Sequence, residues 1–268
     1  MTSYTNARPE AALFVRLPRA SWWLRRRGWI THHPEVGADG DEHEGFMVVS
    51  AVKVCPAAET EVIESLRSAG DFELSGNPKA LIGRASRAVV ADHDYLGRPI
   101  GPPTEVRSRW TRENLYLLYI CPYETLSLRP DPKTTEETPQ LWNWDVAEAF
   151  IGSDYEHIGR YKEFQVSPQS EWVDLDIDRG NQSGQAGMKW NSGYRVKGRI
   201  DAPSKTWYGE MCIPFAEIDT RQPEPKRELR IGLYRIDGME PNKHYYAWRP
   251  TGSTSFHVPQ AFGTLRLR

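Results

Sequence analysis

Three kinds of residue in this 268-residue chain could do chemistry: paired carboxylates, clustered histidines and an unusual number of tryptophans. Asp145 and Glu148 stand three apart on a strand-like run, so their side chains point to opposite faces and cannot flank one glycosidic bond. Glu148 with Glu163 is the pair a glycosidase would need, at about 5 Å for retention or about 6.5–9.5 Å for inversion. Asp174, Asp176 and Asp178 alternate with Val173, Leu175 and Ile177 and so share one strand face. That face suits solvent or a calcium contact better than acid–base work, and Asp92–Asp94 is a second oxygen-rich stretch that could meet calcium. His32–Glu44 holds three histidines and five acids, enough to bind a metal, but it is aperiodic and polar and reads as a solvated tail. Cys55, Cys121 and Cys212 are far apart, without the C-x-x-C spacing of zinc sites, and read as buried free thiols. Dinucleotide-binding and phosphate-binding loops, H-E-x-x-H and G-x-S-x-G are all absent from the sequence. Ten Trp stand beside 12 Tyr and 8 Phe, more indole than a core alone would use.

The elements that must position these residues are short. Runs rich in Val, Ile, Tyr, Phe and Trp cover 46–55, 86–91, 105–110, 115–121, 145–151, 161–167 and 172–178. They continue at 194–200, 207–214, 229–236, 245–248 and 263–267, with Pro, Gly, Asp and Asn between. About a dozen such runs predict an all-β chain, a β-sandwich of two mainly antiparallel sheets with few short helices. Helical spacing of Val62, Ile63 and Leu66 predicts one peripheral helix over 59–68. Residues 1–44 lack an apolar face and are expected to lie outside the core, leaving one domain over 45–268. Arg16 breaks the apolar stretch 11–17, so no signal peptide is legible and the sequence alone sets no compartment. Asn181-Gln-Ser183 fits a glycosylation sequon.

Charge and hydropathy remove two partner classes. The formal charge is −2, from 34 Lys+Arg against 36 Asp+Glu, with a pI near 6.4. Nucleic acid is therefore not an expected partner. Mean hydropathy is −0.63 and no apolar run approaches roughly 18 residues, so membrane insertion is not expected either.

The order of segments in the second half is more specific than any single motif. Arg112–Cys121 is followed by Leu141-Trp-Asn-Trp-Asp-Val-Ala-Glu-Ala-Phe-Ile-Gly152 and Tyr161-Lys-Glu-Phe-Gln-Val-Ser-Pro168. Trp207–Phe215, Ile231–Asp237, Ala247–Pro250 and Phe256–Arg266 come next in that order. This succession, over about residues 46–268, resembles the carbohydrate-binding module family 9-like proteins. The resemblance implies a β-sandwich that binds mono-, oligo- or polysaccharide without catalysis, in an extracellular or periplasmic setting and often beside polysaccharide breakdown. It also implies a possible structural calcium and no other cofactor.

Carried over by motif, the resemblance implies a sugar held between two rings, Trp142 and Phe256, the latter standing where Trp is found in the family. Glu148, Gln165, Arg235 and Ser253 are the implied polar contacts, with Gln165 in place of Arg, Arg235 in place of an amide and Ser253 in place of Asn. Sugars suit such a site because their C–H faces pack on rings while their hydroxyls need hydrogen-bond partners. The residues alone leave alternatives open. Trp142, Trp144 and Phe256 could be packing, Glu148 and Arg235 could pair across strands, and Trp248–Arg249 is a second aromatic–cation candidate. Two other functions compete with the sugar-binding one: a glycosidase using Glu148 with Glu163, and an interaction module without sugar binding.

Overall fold

The computed structural model describes residues 61–84, 87–180 and 190–268, all within one compact unit. The expected strand 46–55, Cys55, residues 1–44 and the sequon at 181–183 lie outside the described residues. Twelve strands follow in order among the described residues: β1 Val62–Arg67, β2 Val89–Asp94, β3 Pro99–Trp110, β4 Asn114–Pro122, β5 Val146–Gly152 and β6 Arg160–Val166. The others are β7 Trp172–Asp178, β8 Arg195–Asp201, β9 Thr206–Pro214, β10 Glu228–Asp237, β11 His244–Ala247 and β12 Gly263–Leu267. Helix is confined, among the described residues, to single 3₁₀ turns such as Leu141–Asn143. The β-sandwich read from strand spacing is the observed fold.

One layer runs β7-β6-β5-β10 and the other β8-β9-β4-β3. Each ends in a fork, because β10 pairs with both β11 and β12 while β3 pairs with both β2 and β1. The forks meet through β11–β2 and β12–β1, which joins the two layers into one hydrogen-bonded system. Between the layers, Ala149 and Ile151 of β5, Phe164 and Val166 of β6 and Ile231 and Leu233 of β10 share a core with Leu117 and Tyr119 of β4 and Trp207 and Met211 of β9. All of these are essentially inaccessible to solvent. Tyr119 also donates its hydroxyl to the Glu148 carbonyl at 2.6 Å, tying the layers together beneath the position that matters below.

The segment expected as a helix over 59–68 is instead strand β1 over its described part. Its backbone pairs in parallel with β12 (Ile63↔Leu265) and with β3 (Ser65↔Ser108), which fills the wedge between the two forks. Ile63 and Ser65 are buried in alternation, and the two serine hydroxyls of Ser65 and Ser108 bond at 2.8 Å. Two strand edges needing backbone partners outweigh a weak helical periodicity. These two pairings are also the parallel exception in an otherwise antiparallel fold.

The acids of β7 do alternate with Val173, Leu175 and Ile177, but their face is not uniformly wet. Asp174 is fully buried, where Oδ2 accepts from the Ser192 backbone at 2.7 Å and from its hydroxyl. Asp176 pairs with Lys162 at 2.7 Å and Asp178 with Arg160 at 3.3 Å. Asp94 accepts from the backbone amides of Leu96 and Arg98 and from the Arg98 guanidinium, while Asp92 meets His93. Among the described residues, no three metal-type side chains converge on one point. Cys121 and Cys212 are buried and free, as expected.

Gly198 on β8 shows how closely one layer edge approaches the β6–β7 turn. A Cβ there would stand 2.4 Å from the Ser167 carbonyl oxygen and 2.6 Å from that of Pro168, both backbone atoms that cannot rotate away. Gly198→Ala should therefore destabilise the fold by about 1–3 kcal/mol. Thermal melting measures this, and an unchanged melting temperature would show that β8 can drift off the turn at no cost.

Candidate functional site on the outer face of β5, β6 and β10

Period-two alternation sends alternate residues of β5, β6 and β10 away from the sandwich interior. Register then decides which of them meet. Glu148 on β5 lies opposite Gln165 on β6 and Tyr234 on β10, and Phe150 lies opposite Glu163 and Gly232. The diagonal between these rows sets Glu148 and Glu163 on one face. Tyr234 can lie flat there because Gly232 has no side chain; a Cβ at that position would come within 2.6 Å of the Tyr234 ring. β7 closes one side with Val173 and Leu175 opposite Gln165 and Glu163.

Two loops cover this floor. The C-terminal loop places Phe256 flat on Tyr234, with ring centroids 4.2 Å apart and planes within 11°. It places His257 on Phe150 at 5.1 Å, with Nδ1 2.7 Å from the Tyr161 hydroxyl and Nε2 4.0 Å from Glu163 Oε2. The 3₁₀ turn Leu141–Asn143 brings the half-buried Trp142 against the same apolar cluster, and Lys243 donates to the Trp142 carbonyl at 2.8 Å. Trp142, Glu148, Gln165 and Phe256 are thus gathered on one face. Ser253 sits in the loop before Phe256, its backbone amide bonded to the Thr251 hydroxyl at 3.3 Å.

Arg235 is not among them. It pairs with Ala147 rather than Glu148, so strand parity turns it to the other face of the layer. There it is fully buried, donating to the Pro122 carbonyl at 2.8 Å, Thr104 at 3.2 Å and Asp237 at 3.1 Å. A Glu148–Arg235 ion pair is excluded by the same parity.

The floor is acidic and under-bonded. Glu148 is 2% exposed and Glu163 3%. Burial pushes Glu163 up to about 7, against the pull of the Gln165 Nε2 bond at 2.6 Å. Burial first, then the Glu163 charge, pushes Glu148 well above the usual carboxylate range, while Lys243 acts the other way. His257 is lowered to about 4, first by burial and then by Arg179, so its ring is uncharged near neutrality. Glu163 Oε2, Gln165 Oε1 and the Tyr234 hydroxyl have no hydrogen-bond partner. Buried polar atoms without partners are few in folded proteins and call for an explanation at each place. Chemically, this face can accept and donate several hydrogen bonds to a polar ligand against an aromatic wall.

Sequence reasoning did not single out Tyr161, Tyr234, His257 or Lys243. Parity alone places Tyr161 beside Glu163 and Gln165 on β6, whereas the other three needed the loop path and the β5–β10 register. The Trp248–Arg249 candidate lies elsewhere, on a groove of about 870 Å³ between β1, β2 and β12. In that groove Arg249 is paired with Glu61 at 2.6 Å and Arg266 with Glu228 at 2.7 Å. The outer face groups the unpartnered buried atoms of Glu163, Gln165 and Tyr234 beside the buried Glu148, and we place the candidate site there.

No protein-family model matches the chain. A relative from Arthroderma benhamiae called an extracellular protein is 23% identical over 174 residues, covering 60% of this chain and 77% of its own length. Among solved structures, a candidate carbohydrate-binding protein from Bacteroides uniformis superposes with a TM-score of 0.60 at 15% identity, covering 78% of this chain and 99% of that one. A family 9 carbohydrate-binding module from Caldicellulosiruptor kristjanssonii, solved with cellotriose, gives 0.55 at 10% identity, covering 77% and 93%. The same organism's module with glucose gives 0.52 at 10% identity, covering 76% and 95%. These superpositions show that the chain shares its fold with family 9 carbohydrate-binding modules.

Proposed function

We propose that this chain binds carbohydrate without catalysis, at the outer face of β5, β6 and β10, and works outside the cell. The observation that carries the reading is the set of buried, unpartnered polar atoms on Glu163, Gln165 and Tyr234, grouped with the buried Glu148 beside Trp142 and Phe256. Sugar hydroxyls supply donors and acceptors at the spacing such a floor needs, and their C–H faces pack on rings. Cellotriose and glucose in the structural relatives support the class of ligand, and the relative called extracellular supports the location. Phe256 is buried against Tyr234, with Tyr95 and Tyr245 at its edges, so Trp142 supplies most of the ring area open to a sugar. Affinity is therefore expected in the micromolar to millimolar range, about 4–8 kcal/mol.

Trp142→Ala tests the reading. The half-buried indole contributes less to the core than a fully buried one, so a stability loss of about 1–2 kcal/mol is expected, below the usual 3–5 for a core aromatic. Sugar affinity should fall at least tenfold by calorimetric titration. A variant destabilised by the full core amount whose folded fraction still binds normally would remove Trp142 from the site. Release of reducing sugar from an oligosaccharide would favour the glycosidase reading, in which Glu148 and Glu163 act as the carboxylate pair.

A further inference from the structure

We infer that the outer-face site selects a sugar carrying a protonated amine, a 2-amino-2-deoxyhexose unit, over its neutral counterparts. This rests on the sugar-binding reading and goes beyond it by naming the ligand's charge.

Two glutamates share the floor, both almost completely buried, on adjacent strands and the same face. Among the described residues, no Lys or Arg nitrogen lies within ion-pair distance of either carboxyl, and His257 Nε2 stands 4.0 Å from Glu163 Oε2. The other charged or titratable neighbours form no ion pair with either carboxyl. Lys243, on the β10–β11 turn, bears on Glu148 from beyond ion-pair distance while donating to the Trp142 carbonyl. Burial keeps Tyr161 and Tyr234 in their neutral hydroxyl form and His257 in its neutral ring form. Arg179, beyond β7, bears on His257, and Arg249, beyond β11, bears on Tyr234. Gln165, the side chain bonded to Glu163, carries no charge.

A neutral sugar could bond these carboxyls only as protonated acids, because ionising either one in a dry setting would leave its charge uncompensated. An ammonium group brings three donors and a positive charge in a compact shape. Its bonds to carboxylates are charge-assisted, and the free Glu163 Oε2 and the neighbouring Glu148 carboxyl are the acceptors it needs. A divalent metal ion would want more oxygen or nitrogen ligands than two glutamates provide, and no third metal-type side chain converges with them among the described residues.

The test is calorimetric titration of the full chain at pH 6.5 with three β-1,4-linked trisaccharides, of glucose, glucosamine and N-acetylglucosamine. They share linkage and ring and differ at C2. The glucosamine trimer should bind at least tenfold more tightly than either neutral trimer. That preference should shrink below threefold in Glu148→Gln and in Glu163→Gln, with thermal melting confirming that each variant is folded. Equal or tighter binding of a neutral trimer would overturn the charge selection and leave the sugar site standing. No binding of any trimer would overturn both. A glucosamine preference untouched by either variant would place the amine elsewhere and also overturn the proposal.

Discussion

Arg235→Ala should cost about 3–5 kcal/mol of folding stability and leave the sugar affinity of the folded protein unchanged. The guanidinium is sealed inside the sandwich, donating to the Pro122 carbonyl, Thr104 and Asp237, with the Tyr246 ring centre 5.1 Å away. Removing one partner of a buried charged network leaves the others desolvated and unpaired, which costs more than the pair itself contributes. Asp237, 13% exposed in its side chain, would be the principal orphan. Urea denaturation measures the stability term, and titration under native conditions measures affinity. The opposite pattern, normal stability with lost binding, would put Arg235 back among the ligand contacts and contradict the strand register.

Glu163→Gln should make the unliganded protein more stable at pH 8 by on the order of 3 kcal/mol, with little difference near pH 4. Glu163 titrates at about 7 in the folded protein against an ordinary 4.5. Between those values the folded protein holds a proton that the unfolded chain has released. Stability contributed by the neutral form is therefore lost as pH rises from about 4.5 to about 7, and stays lost above. Glutamine keeps the shape and the contact with Gln165 but has no proton to lose. His257 works in the opposite sense: lowered to about 4, it loses stability as pH falls from about 6.5, but it is present in both proteins and largely cancels in the comparison. Urea denaturation of both proteins at pH 4, 6 and 8 gives the difference directly. A difference that does not grow with pH, or a variant less stable at pH 8, would mean that Glu163 is ionised and well solvated in the fold. The combination of higher stability with weaker ligand binding is what a site residue held against its solvation preference should show.

Strand content was legible because each run announces itself locally. Eleven of the twelve described strands coincide with runs chosen from β-branched and aromatic residues between turn residues. Within a strand, alternation also settled which residues share a face, as with Val173, Leu175 and Ile177 on β7, all in the outer-face cluster. β1 was not legible, because Val62, Ile63 and Leu66 fit a helical stripe and nothing nearby in sequence reveals the two open edges of β12 and β3 that the segment fills. Arg235 shows the same limit at the site. Its motif placed it beside Glu148, yet its parity against Ala147 turns it inward, and that pairing joins strands far apart in the chain. His257 and Lys243 reach the floor only through loops whose paths follow from packing, such as Phe256 lying on Tyr234. The sequence by itself determined most of the strands, which residues within each share a face, and the all-β class, since those depend on near neighbours along the chain. Which faces meet, and hence which carboxyls share a site, was decided by the register between distant strands, because that register is selected by the summed burial of whole layers rather than by any local pattern.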